Sequence, residues 1–193
     1  MTYGTNAPVG FVPEKYLNNS TWSGQFGNYQ IVDAYATSLF LGDPVTLTGG
    51  YLIIGATSAP LVGIFAGCSY VTLAGINTFS PYWPASTSTL AAVGATAQVV
   101  DDPNVLFNVQ LDATAADQVD IGENANFVSH AGNTVTGISG YALGDPATGN
   151  ATYNFKVNSL VPVPNNVFGT TYNNVFVTIN NHIYKGGTGT VGV

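Results

Sequence analysis

Residues able to carry covalent or proton-transfer chemistry are scarce in this chain: one cysteine, Cys68, and two histidines, His130 and His182. A nucleophile–base system needs an imidazole or its equivalent beside a serine or a thiol. Cys68 sits in the apolar run Phe65-Ala66-Gly67-Cys68-Ser69-Tyr70. No basic neighbour lowers its pKa, so it reads as a buried, inert thiol. His182, within Asn180-Asn181-His182-Ile183-Tyr184, falls at a strand end and is expected to hydrogen-bond or to serve an interface. Two isolated histidines and one cysteine make no zinc spacing. Carboxylates are densest at Asp101, Asp102, Asp112, Asp117, Asp120 and Glu123. Calcium favours such oxygens, but no EF-hand order is present and a strand intervenes, so a solvated acidic edge is the expectation. Gly186-Gly187-Thr188-Gly189 lacks the Lys-Ser/Thr of a phosphate loop and follows the last strand instead of opening a helix. No catalytic residue, metal or cofactor is expected.

Composition points the same way. Charged residues are 7% of the 193, against roughly 25% in ordinary domains, while hydrophobic residues reach 46%. Arginine is absent and the only basic side chains beside histidine are Lys15, Lys156 and Lys185. Hydrophobic content this high predicts a folded chain. Its polar surface must come from Asn, Thr, Ser and Gly. Desolvating a neutral amide costs far less than desolvating an unpaired charge, and interface cores are poor in Lys, Glu and Asp. Such a surface suits lying against other protein; a secreted or salt-adapted β-protein would share the same composition. A net charge of −7 argues against nucleic acid, whose phosphates demand Lys and Arg. A polybasic membrane patch is missing too. Residues 1–11 show no secretory pattern. The apolar stretch 51–73 is interrupted by Gly55, Pro60, Gly63 and Gly67, so no membrane helix is expected. One cysteine excludes an intrachain disulfide.

The elements that must position these residues read as strands. Glu and Lys together number five, and no window carries apolar residues at helical spacing. Short Val, Ile, Phe, Tyr and Thr runs alternate with Gly, Pro, Asn and Asp, which predicts an all-β chain, an antiparallel sandwich or barrel that includes the jelly roll among its forms. Residues 1–28 read as an extended arm whose isolated aromatics, Phe11, Tyr16, Trp22 and Phe26, either anchor on a neighbour or tuck into their own domain. Residues 29–76 read as a small meander or barrel, 77–185 as a sandwich, and 186–193 as a loose tail. Tyr82 and Trp83 lie in an aromatic, proline-bearing loop, and 112–120 holds the only expected helical turn. Leu41-Gly42-Asp43-Pro44 returns as Leu143-Gly144-Asp145-Pro146, which reads as two similar turns.

Three segments in order carry a resemblance. Gly42-Asp43-Pro44-Val45-Thr46-Leu47, a glycine turn, and then Pro60-Leu61-Val62-Gly63-Ile64-Phe65-Ala66-Gly67-Cys68 make the first. Tyr82-Trp83-Pro84-Ala85 and Asp101-Asp102-Pro103-Asn104 follow, and the ending runs from Val161-Pro162-Val163-Pro164-Asn165-Asn166 to Ile179-Asn180-Asn181-His182. The pattern, over about residues 35–185, resembles tailed-bacteriophage head-decoration (cement) proteins. The resemblance implies a virion structural protein on the capsid exterior, made in the host cytoplasm. It implies a homotrimer bound to the major capsid protein, without catalytic residues. Phe11, Tyr16, Trp22, Phe26, Tyr82 and Trp83 are the expected contacts. A glycan-binding fibre protein, gripping sugar with Trp or Tyr platforms, and a secreted or surface-layer β-protein are the alternatives.

Overall fold

The computed structural model describes residues 4–90, 94–185 and 192. It is all-β, as the sequence predicts. Among the described residues thirteen strands run in order: β1 (Val12–Tyr16), β2 (Gly27–Ile31), β3 (Pro44–Thr48), β4 (Tyr51–Ile54), β5 (Gly63–Val71), β6 (Asn77–Ser80), β7 (Ala95–Val100), β8 (Val105–Gln110), β9 (Asn124–Ala125), β10 (Phe127–Val128), β11 (Ala142–Leu143), β12 (Phe155–Leu160) and β13 (Asn174–Ile179). Two single 3-10 turns, Gln118–Asp120 and Ile183–Lys185, are the helical content of the described residues.

Strands β3, β4, β2, β7 and β5 pair in that order, and β5 returns to β3, closing a five-stranded barrel. Period-two alternation explains its lining: along β7, Ala95, Ala97 and Val99 point inward while Thr96 and Gln98 point out. Small alanines leave room for the large interior side chains Phe65 and Trp83. At Gly63 a Cβ would stand 2.3 Å from the Val100 carbonyl oxygen, so only glycine lets β5 approach β7 there. A bulge between Phe65 and Gly67, with Gly67 at φ +131°, then re-aims β5. Among the described residues, β6 hangs from β5 as the edge strand of this sheet.

The second layer is a five-stranded sheet, β1-β8-β13-β12-β9, beside the two-stranded pair β10-β11. Val105, Phe107, Val109, Val175, Val177 and Ile179 turn one face toward Leu61, Ile64 and Val100, which join this second core from the barrel. The opposite face of β8 and β13 is buried as well. There Gln110 donates to the Thr5 carbonyl and accepts the Ala7 N–H, while Asn173 donates to Asn166, which donates on to the Val161 and Asn174 carbonyls. A buried polar group needs such partners.

The sequence-based division differs from this arrangement. Residues 12–16 are no arm: β1 pairs antiparallel with β8, Val12 opposite Asn108 and Tyr16 opposite Val105. Pro13, Glu14 and Lys15 disguise it, yet these are the features of an edge strand, where one side of the backbone faces water. The barrel takes in β2 and β7 and so spans 27–100, not 29–76, because β7 supplies the wall that closes it. The expected tail, 186–193, lies outside the described residues except for Gly192.

Candidate functional site

Where β1 meets the barrel, the chain leaves an open apolar groove of about 500 Å³. Its floor is a crossing of two backbone segments. The Phe11 N–H donates to the Gly42 carbonyl at 3.0 Å, and Gly10 and Gly42, both at positive φ, let the strands touch. A Cβ on Gly10 would stand 2.7 Å from the Gly42 oxygen. Val12 and Pro13 of β1 form one wall, and Ile64, Phe65, Ala66 and Val100 another. Trp22 and Phe26, edge to face at 5.4 Å and 84°, line it together with Leu41 and Ile138. Phe26 is 42% exposed, and Val12 and Leu41 are similarly open.

Of the six aromatics expected to make contacts, the groove gathers Phe11, Trp22 and Phe26. Phe11 itself is 1% exposed and stacked on Phe155 at 4.1 Å, so it backs the groove and presents little surface. Tyr16 packs half-buried against the sheet core. Tyr82 stacks on Phe40 at 5.4 Å. Trp83 corrects the sequence reading most clearly: it is 0% exposed in the barrel core, and its indole N–H donates to the Tyr35 carbonyl. Bulk and a proline neighbourhood could not separate a core tryptophan from a surface one. Leu41 and Ile138 escaped the sequence analysis because they come together through a β-bridge between segments nearly a hundred residues apart.

Beneath the groove lies Asp43, 1% exposed, its carboxylate accepting the Phe40 N–H at 2.8 Å. Burial pushes its pKa up to about 6, against the opposing hydrogen bonds of Phe40 and Ser139. The same tetrapeptide at Leu143 to Pro146 leaves Asp145 exposed.

The titratable groups disperse. Burial pushes the Cys68 thiol up to about 12, and the thiol points at the Tyr82 carbonyl. Asp112 pairs with His130 at 3.3 Å, and Asp102 accepts from Asn104. Asp120 is raised by burial, then by Asp117, Glu123 and Asp145. Asp101 accepts the Tyr29 hydroxyl at 2.7 Å, with the Tyr184 hydroxyl 3.1 Å from that of Tyr29. A Cβ on Gly27 would collide with this carboxylate. Next to it the fully buried His182 accepts the Tyr184 N–H on Nδ1, and burial followed by the Lys185 charge lowers its pKa. These contacts latch residues 182–184 onto the barrel, and Cys68 lies in the barrel core. Among the described residues no three of His, Cys, Asp and Glu converge in a way that could hold a metal ion, and no helix is long and apolar enough to cross a membrane.

Compared with family models, with curated proteins and with solved structures, the chain matches none.

Proposed function

We propose that this protein is a virion structural subunit, a capsid decoration or cement protein, which grips the major capsid protein on the outer face of a phage head. The observation that carries the reading is the apolar groove lined by Trp22 and Phe26 in a chain with so few ionised groups. A rigid aromatic pair beside an unfilled apolar hollow has the anatomy of a binding hot spot. Filling it removes apolar surface at roughly 25 cal/mol per Å², of which only the surplus over association costs appears as affinity. The resemblance carried by the order of motifs along the sequence supports the choice of partner.

The double variant Trp22→Ala/Phe26→Ala tests it. Co-sedimentation with tailed-phage heads should fall at least about tenfold, with a fold unchanged by circular dichroism. Undiminished binding removes the groove from the account. The glycan-gripping alternative loses one of its two tryptophan platforms to the barrel core, since Trp83 is enclosed. Binding on a glycan array would restore it.

A further inference from the structure

We infer that a second copy of this chain docks on strand β6, joining the two barrel sheets through an antiparallel β6–β6 seam about a two-fold axis. β6 pairs with β5 on one side, and among the described residues nothing pairs with its other side. Sheets protect such edges with charge, proline, bulges or cover. β1, one edge of the other sheet, has three of these: Pro13, the Glu14-Lys15 pair and a register break. Asn77-Thr78-Phe79-Ser80 has none. At its ends stand apolar side chains in water: Phe79 is 85% exposed, Leu73 67% and Ile76 62%.

Charge selects the occupant. The molecule carries −7, so two copies repel wherever their acidic groups approach. From Pro44 to Val100 there is no Asp, Glu, Lys, Arg or His. Asp33 binds Thr89, which bridges to Thr72 on the side of β5 away from β6. This edge is where like-charged copies can meet without bringing carboxylates together. It offers a charged partner no complement.

Geometry fixes the register. The Thr72 N–H donates to the Ile76 carbonyl, and β5–β6 pairing continues as Val71–Asn77, Tyr70–Thr78 and Ser69–Phe79. In an antiparallel ladder alternate residues bond inward. Ile76, Thr78 and Ser80 therefore face β5, which leaves the backbone groups of Asn77 and Phe79 aimed outward. Two-fold pairing places Asn77 of each copy opposite Phe79 of the other, exchanging about four backbone hydrogen bonds, with the two Thr78 residues side by side. Such an isologous contact closes on itself as a dimer, in place of the trimer that the sequence motifs imply.

The register makes the test specific. The full-length chain should sediment as a dimer, and Phe79→Lys should weaken dimerisation at least about tenfold while leaving the far-UV circular dichroism spectrum unchanged, because the side chain is exposed. Thr78→Cys should form an interchain disulfide under mild oxidation, since directly opposed residues bring their Cβ atoms within reach. Ser80→Cys, off the axis, should not. Cys68 is buried and does not compete. A monomer at every concentration, a trimer, or a dimer indifferent to Phe79→Lys and uncrosslinked at Thr78→Cys would overturn the proposal. Trp22 and Phe26 are untouched in these variants, so loss of head binding and loss of dimerisation are separate results.

Discussion

The barrel and the five-stranded sheet bury aromatic cores of similar character, yet they treat charge in opposite ways. Between Lys15 and Asp101 the only charged side chains are Asp33 and the buried Asp43, while the segment from Asp101 to Lys185 carries most of the acidic groups. Their exposed edges follow suit, β1 guarded by proline and charge and β6 bare. The comparison teaches that the low overall charge is no uniform property. One half holds most of the charged groups, and the other is stripped to amides, hydroxyls and apolar groups.

The strongest way to break this comparison is to damage one core and watch the other. Trp83→Ala empties the barrel of its largest side chain and should lower stability by about 3–5 kcal/mol. Leu61, Ile64 and Val100 belong to the sheet's core although they belong to barrel elements, so chemical denaturation should stay a single transition by both Trp22 fluorescence and circular dichroism. Two separated transitions would make the halves independent.

Asp43 comes next. Its folded pKa of about 6 lies above the ordinary carboxyl value. Below about pH 4 both folded and unfolded forms are protonated and the group contributes nothing. As pH rises toward and past 6, the unfolded chain ionises more readily, and the native state becomes less stable by on the order of 3 kcal/mol. Asp43→Asn should therefore stabilise the protein at pH 8 and flatten its pH–stability profile between 4 and 7. A profile identical to the parent's would show that the carboxyl is not buried as described.

Gly63→Ala sharpens the barrel side, because the added methyl meets the Val100 carbonyl; a loss of about 1–3 kcal/mol is expected from overpacking. The smallest effect belongs to the sheet edge. Lys15 lies 4.5 Å from the centre of the Phe176 ring, so Lys15→Thr should cost about 0.5–1 kcal/mol. It should also raise aggregation on prolonged incubation, since it removes one guard of β1.

How far the sequence disclosed this follows from which physics is local. Strand alternation is local, so β7, β8 and β13 were legible from residues such as Val175, Val177 and Ile179. The inert environment of Cys68 was legible because its neighbours in sequence are also apolar. Burial is not local: Trp83 and Asp43 stand in turn-like sequence and end in the interior because distant strands close over them. The amides mislead for the same reason. Read as surface polarity, Asn108, Gln110, Asn154, Asn166 and Asn173 turn inward, where they satisfy loop carbonyls and each other. The groove was half visible, its aromatics in sequence and the meeting of Leu41 with Ile138 only in space.

The placement of β13 has a consequence for how the molecule comes into being. This strand is late in the chain but lies in the middle of its sheet, between β8 and β12. During synthesis the barrel can close as soon as β7 emerges. The other layer then waits, with β8 unpartnered on one side, until Ile179 has left the ribosome. For that interval the nascent chain exposes Val105, Phe107 and Val109, a sticky stripe that a truncated translation product would keep for good.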